Sequence, residues 1–290
     1  MMLPDMNIPL QTNSFLSLIM EKLGEHPVDF SEKMAVVQNS RTSKERILAA
    51  GVLLLMFEKE CPAPHEDQRA KFSFLLIKRS SKVAQPGDLS CPGGMLNPFI
   101  DPMLRLLITC RMLPIFRGKA RKYAQNRDLE TFRFLTLFLA NALRETWEEI
   151  NLCPLKIDFL GSLPTYSLHL FRRMIFPLVG FVSQKSTFHP NNEVERIVDI
   201  PLGIFFHEEN YATYQIDLSD SSTTDGRYPM EFPCLIYRDD LGNEDILWGA
   251  TYYIIMNFLH IVFGYTVPKM HPQKVIKKIL SSEYVNSHSR

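Results

Sequence analysis

The chain carries no excess charge of either sign: 32 Lys and Arg balance 32 Asp and Glu over 290 residues. That balance argues against bulk attraction to nucleic acid or to a membrane surface, and leaves only a local basic patch to serve a phosphate-bearing ligand. Cys-x-x-Cys spacing is also missing. The five cysteines, at positions 61, 91, 110, 153 and 234, are odd in number and scattered, as expected of free thiols in a reducing compartment such as the cytoplasm. The start, Met1-Met2-Leu3-Pro4-Asp5, has no basic segment followed by an apolar core, so no secretory signal is expected. The most apolar stretch, 250–263, is interrupted by Asn257 and His260 and at 14 residues is too short for a bilayer span. What is present is 46% hydrophobic and 22% charged residues, the composition of a soluble globular chain with one large domain or one domain with elaborations.

Amphipathic spacing predicts a helix over 14–23, with Phe15, Leu18, Ile19 and Leu23 on one stripe; the continuously apolar run 47–57 predicts a buried strand over 51–57, and further strands are expected over 72–78, 157–163 and 174–182. A hairpin is expected from 234–237 and 246–248 around 239–243, followed by a buried helix over 250–263. The polar segments 58–69 and 211–227 read as loops, and 269–290 as a polar tail with no recognised targeting ending. The organisation expected is an N-terminal helical extension (1–45), a central domain (46–268) and the tail.

Glu145, Glu148 and Glu149 stand at i, i+3 and i+4 of what reads as a helix end, so three carboxylates emerge as neighbours on one stripe. Their mutual repulsion needs an offset, and a hard divalent cation, Mg²⁺ or Mn²⁺, supplies it, taking carboxylate oxygens beside waters and phosphate oxygens. Arg144 can fork onto a neighbouring glutamate. Leu143, Trp147 and Ile150 lie on another stripe able to bury the helix against a sheet, and Asn151 suits the left-handed residue that ends it. A solvated helix face is the other use of such a run. Upstream, Gly93-Gly94 after Pro92 allows backbone to approach a phosphate or metal with no Cβ in the way, or makes a tight turn between strand and loop.

Together these residues resemble the Nudix hydrolases, whose box reads G-x5-E-x7-R-E-U-x-E-E-x-G-U, with U aliphatic. Residues 144–152 match its second half, with Thr146 at a U position and Asn151 in place of Gly. With Gly94 as the first glycine, the arginine should follow 14 residues later; it follows after 50, so 36 residues are inserted within the box. The first glutamate falls at Ile100, and Asp101, Asp128 or Glu130 could replace it. The run 79–94 is similar to the branch that hydrolyses coenzyme A, keeping Leu75, Leu76, Lys78, Arg79, Ser80, Gly87, Pro92, Gly93 and Gly94. It departs from that branch at Ala84 and Cys91 and by one residue of length. Segments 160–163, 177–181, 191–202 and 248–251 also resemble that branch.

The resemblance implies an α+β architecture, the Nudix fold, with a mixed β-sheet sandwiched between α-helices and a helical insertion over 99–136. It implies a hydrolase acting on phosphoric anhydride bonds: a metal-dependent diphosphatase that splits coenzyme A or a derivative into 3′,5′-ADP and (acyl-)4′-phosphopantetheine. Alternatives are a pyrophosphatase acting on NADH or a nucleotide sugar, and a nucleotide-sensing module without turnover. Under this resemblance Glu145, Glu148 and Arg144 are catalytic; Glu145, Glu148, Glu149 and Gly94 hold Mg²⁺ or Mn²⁺; Arg79, Lys78, Gly93 and Glu193 meet a small nucleotide-diphosphate substrate. Glu193 and Glu195 could add a metal ligand or base, or simply be charges on a solvated turn. No nucleic-acid partner and no membrane span are expected.

Between Met103 and Leu135 eight basic residues face two acids, Asp128 and Glu130. The segment reads as a helical excursion whose second helix runs into the carboxylate-bearing one. Three uses are open to it: a lid bringing cations to the substrate's outer phosphate, a packing or homodimerisation element, or a surface helix on a membrane. The carboxylate reading predicts that Glu149→Gln leaves the fold intact, as checked by circular dichroism, and lowers metal-dependent turnover by orders of magnitude.

Overall fold

Residues 8–9, 11–42, 45–59, 71–110, 112, 115–168, 171–183, 187–218, 230–267 and 274–280 are described by a computed structural model. Strand β1 (Leu48–Glu58) is apolar on both sides: Leu53 and Leu55 face one half of the core, Leu54 and Met56 the other. A strand of that kind must be covered above and below. It pairs in parallel with β7 (Arg173–Val182) over Leu48↔Arg173 to Phe57↔Val182, and antiparallel with β2 (Phe72–Arg79) and with β4 (Gly93–Met95). The short strand β3 (Leu89–Ser90) and β8 (Val194–Pro201) join β2, while β5 (Ile157–Ser162) and β6 (Tyr166–Leu168) join β7. The result is a mixed sheet.

Helices cover both faces. On the Leu53 side lie α2 (Phe30–Asn39) and α5 (Leu129–Ile150), flanked by α3 (Ile100–Thr109) and α4 (Gly118–Gln125). On the Leu54 side lie α1 (Thr12–Glu25) and α6 (Gly249–Phe263). The expected α+β layering is present, and the residues expected to form an extension are core: Phe15, Ile19 and Leu23 of α1 and Phe30 of α2 are fully buried. Among the described residues no helix is long and apolar enough to cross a membrane. Cys91, Cys110, Cys153 and Cys234 are free thiols, and Cys61 lies outside the described residues.

Two sequence expectations are corrected. Within the supposed loop 211–227, residues Tyr211–Leu218 form β9, and within the supposed tail Val275–Leu280 form β12. With β10 (Met230–Arg238) and β11 (Glu244–Trp248) they make a second sheet in the order β11-β10-β9-β12. Ala212, Tyr214 and Ile216 alternate with Thr213 and Gln215, a period-two pattern that the polar composition around it obscures. In β12, Lys277 and Lys278 suit an edge strand, which gains order only by pairing with β9. The rest of both segments, with 60–69 of the first loop, lies outside the described residues.

The excursion at 99–136 is helical and packs down. Arg105 Nε donates to Thr136 Oγ1 (2.9 Å), Arg117 pairs with Asp158 (2.7 Å), Lys119 Nζ donates to Ser17 Oγ (2.8 Å), and Arg127 donates to the carbonyls of Leu23, Gly24 and His26. Its cations thus bolt α3–α5 onto α1 and β5. Asp128, one of the three candidates for the missing acid, caps α5 by accepting from Thr131 N (2.9 Å). The helix ends at Asn151 with φ 55°, ψ 31°, the left-handed stop its sequence suggests. Phe138 of α5, fully buried, stacks on Phe176 at 3.8 Å between centroids and meets Phe30 edge-on. Phe138→Ala should therefore lower unfolding free energy by about 3–5 kcal/mol in urea titrations.

Candidate active site

Helix α5 points its C-terminal carboxylates at β4. Gly93 N donates to Glu149 Oε2 at 3.0 Å. A Cβ built on Gly94 would stand 2.5 Å from the Glu145 carboxyl carbon, and one on Gly93, whose φ is +151°, only 2.4 Å from the Gly51 carbonyl oxygen. The paired glycines are therefore a thin wall through which two carboxylates reach a cavity of about 480 Å³. Its lining includes Gly93, Gly94, Glu145, Glu149, Arg79 and Glu193. An apolar cluster including Leu168, Phe171, Ile216, Phe232 and Trp248, contributed largely by the second sheet, supplies much of the remaining lining, with Met230.

Arg144 holds the acidic stripe in place. Its Nε donates to Asp101 Oδ1 (2.7 Å), Nη2 to Glu145 Oε1 (2.8 Å) and Nη1 to Glu148 Oε2 (3.0 Å). Asp101 has 0% exposure; its Oδ2 also accepts from Asn97 N (2.7 Å) and from Asn141 Nδ2 (3.0 Å). Asn141 Oδ1 in turn accepts from Gly51 N (2.8 Å), tying the network to β1. Of the three acids open to replace the absent glutamate, Asp101 is the one that meets Arg144; Asp128 caps the helix start and Glu130 is in its first turn. Burial opposes the charge on Arg144, but Asp101, Glu145 and Glu148 more than offset it and hold the guanidinium firmly protonated.

The expected convergence of three carboxylates is narrowed to two. Glu148 is half exposed, turned onto Arg144, and does not line the cavity. Among the described residues no three acidic, imidazole or thiol side chains converge closely enough to cage a cation by themselves. Trp147, expected to be buried, is 46% exposed, while Leu143 and Ile150 are buried as expected. Thr146 at an aliphatic position is fully buried and satisfies its hydroxyl on the Ala142 carbonyl (2.7 Å).

Lys78 lies off the cavity wall. Strand alternation turns it away from Arg79 onto Asp245 (3.2 Å) and Glu195 (3.7 Å), which also removes Glu195 from the site. Arg79 stays on the cavity, its Nε fixed on the Ala84 carbonyl (2.7 Å). Glu193 reaches the cavity because its loop caps the end of α5: Asn191 N donates to Glu149 O (2.8 Å) and Asn191 Nδ2 to Glu148 O (3.0 Å). Among the described residues, none of the excursion's basic side chains lines the cavity, so their contacts realise the packing use rather than the lid. Sequence reading missed Asn141 and Arg173, both on regular elements with no motif to mark them, and the second-sheet lining.

A divalent cation fits these residues. Glu149 is 5% exposed and makes no ion pair among the described residues. Burial pushes its carboxyl up to about 8; the Gly93 N–H and Arg79 oppose this, and Glu145 and Glu193 add to it. Burial likewise raises Glu145, against Arg144. Two desolvated carboxylates beside exposed backbone suit a hard cation that takes one or two carboxylates and fills its remaining positions with water and phosphate.

No family model matches the chain. Among curated proteins it is 41% identical over 220 residues to Nudix hydrolase 15, mitochondrial, of Arabidopsis thaliana, covering 74% of this chain and 58% of that protein. It is 26% identical over 242 residues to the same organism's Nudix hydrolase 22, chloroplastic, covering 81% and 60%. It is 31% identical over 114 residues to a peroxisomal coenzyme A diphosphatase of Mus musculus, covering 39% and 45%. The chain thus spans about half to three-fifths of the length of these relatives. Solved structures similar to it include a MutT/nudix family protein from Enterococcus faecalis (TM-score 0.38, 13% identity, 84% of this chain and 71% of that one) and a C. elegans Ap4A hydrolase binary complex (TM-score 0.33, 14% identity, 54% and 82%).

The burial of Glu149 sets a pH dependence. With a folded-state pKa near 8 against an ordinary value of 4.5, the folded protein binds the extra proton between those limits. Stability is then lost as pH rises through that window, by at most about 5 kcal/mol. In chelator-treated protein the melting temperature should fall from pH 5 to pH 8.5, Glu149→Gln should abolish most of that fall, and Mg²⁺ at pH 8 should restore the wild type alone. A wild-type profile flat across this range would contradict the assignment.

Proposed function

We propose, from the premise that the chain belongs to the Nudix hydrolase superfamily, that it is a metal-dependent diphosphatase cleaving coenzyme A or a coenzyme A derivative into 3′,5′-ADP and (acyl-)4′-phosphopantetheine. The observation that carries this reading is the mixed cavity: Glu145 and Glu149 line it beside the glycine wall, and an apolar cluster from the second sheet supplies much of the rest. A substrate joining a diphosphate to an extended, partly apolar chain matches that mixture. The partial similarity to the mouse coenzyme A diphosphatase supports the same substrate class.

Glu145 and Glu149, with the backbone at Gly94, hold Mg²⁺ or Mn²⁺. A bound divalent cation neutralises diphosphate charge and makes water a better nucleophile. Arg144 acts by position: anchored on Asp101, it fixes the rotamer of Glu145 and keeps Glu148 off the cavity. Arg79 and Glu193 also line the cavity; in this reading Arg79 presents a cation to a phosphate oxygen and Glu193 takes the proton of the attacking water. The new bond joins water oxygen to phosphorus, the bridging P–O bond breaks, and the leaving phosphate departs as a monoester. The Asp101–Arg144 pair favours turnover over a nucleotide-sensing role, since the acid absent at Ile100 has a working substitute one residue on. At fixed Mg²⁺, coenzyme A should be hydrolysed faster than NADH or a nucleotide sugar, with 3′,5′-ADP identified by mass. Rapid NADH cleavage with none of coenzyme A would overturn the substrate, and no turnover of any diphosphate would overturn the reaction.

A further inference from the structure

Helix α3 presents two faces. Toward α5 it buries Asp101 and Ile108 and turns Arg105 onto Thr136. On the other side Phe99, Met103, Leu106 and Cys110 follow one another at spacings of four, three and four residues, which sets them in one stripe along the helix. Phe99, Met103 and Leu106 are 81%, 69% and 55% exposed, Ile100 beside them is 46% exposed, and Cys110 is exposed as well. Among the described residues none of them packs against the apolar clusters on the two faces of the main sheet. Together they present on the order of 500 Å² of contiguous surface, the size at which a patch marks a docking site rather than scattered exposure.

The charges around the stripe say what covers it. Most of the excursion's cations turn inward: Arg105 to Thr136, Arg117 to Asp158, Lys119 to Ser17, and Arg127 to the carbonyls of Leu23, Gly24 and His26. An anionic lipid surface would need them at the rim. Helix α3 runs antiparallel to α5, since Asp101 meets Arg144 and Asn141 whereas Arg105, one turn on, meets Thr136. Two exposed charges of opposite sign on α5 therefore bracket it. Glu148, bonded to Arg144, lies by its start, and Arg133, whose carbonyl accepts from Thr136 Oγ1, lies by its second half. A second α3 laid antiparallel on the first sets the start of each against the end of the other. Glu148 of each copy then faces the partner's Arg133, Met103 meets the partner's Leu106, Phe99 meets the partner's Cys110, and the helix dipoles oppose.

We propose that the outer face of α3 is a homodimer interface, in which two copies of the chain pair antiparallel about a twofold axis passing between Met103 and Leu106. Such a contact is isologous: one stripe serves both subunits. It buries about 1,000 Å² in all, the floor for a specific association, so the dimer forms at roughly micromolar concentrations rather than as an obligate unit. The helix it covers is the one that presents Asp101 to Arg144.

Size-exclusion chromatography with light scattering should give twice the chain mass at about 100 µM and fall toward one chain on dilution. The double variant Met103→Glu, Leu106→Glu should raise the dissociation constant at least about a hundredfold and keep the melting temperature within a few degrees. Orientation is read by cross-linking: with copper phenanthroline as oxidant, Phe99→Cys should give a disulfide-linked dimer that adding Cys110→Ser removes. A wild type that is monomeric at the higher concentration, or a double variant that dimerises as before, would overturn the interface. A dimer linked through Cys110 alone, or no link in a dimeric Phe99→Cys protein, would overturn the antiparallel pairing. Wild-type sedimentation with vesicles of phosphatidylcholine and phosphatidylglycerol, lost in the double variant, would give the face to lipid instead. A larger fall in melting temperature would mean that the chain itself covers the stripe, and would equally refute the dimer.

Discussion

The contact between Arg144 and the fully buried Asp101 is where the site and the fold meet. A carboxylate so deep is tolerated only when every lone pair is occupied, and here Arg144, Asn97 N and Asn141 Nδ2 fill that role. Asn141 passes the constraint to β1 through Gly51 N and to β4 through the Met95 carbonyl. One polar network thus sets the distance from helix to sheet, the path of the glycine strand and the rotamer of Glu145. Loosening any part would move the carboxylates relative to the cavity.

With that frame fixed, the acidic stripe divides its labour. Arg144 draws Glu148 outward and Glu145 sideways, whereas Glu149, out of its reach, is pressed against the Gly93 N–H in a nearly dry position. Burial makes Glu149 costly to ionise, a cost that the proposed cation would offset. The loop ending in Glu193 is held to the same helix by Asn191, so this cavity carboxylate is tied to the helix that carries Glu145 and Glu149. The second sheet adds an apolar cluster to the same cavity, so that carboxylates and apolar side chains share one pocket.

Much of this was legible in the residues. The continuous apolar runs of β1 and β7 and the stripe of Glu145, Glu148 and Glu149 are local patterns, and local patterns survive into the fold because they depend only on the residues of one element. The Gly93-Gly94 wall was readable for the same reason: absence of a side chain is a property of the residue itself. Trp147 failed as a core residue and β9 and β12 were misread, because burial and edge pairing depend on what lies across the gap.

The sequence by itself determined the carriers of chemistry, the helix with its three acids, the glycine pair and the arginine after β2, since each is written in spacing along one element. Only the tertiary structure decided that Asp101 serves Arg144 and that Glu148 and Lys78 turn away. Those choices depend on distances between segments far apart in the chain, set by strand register and by which buried polar group finds a partner, and no single stretch of residues contains them.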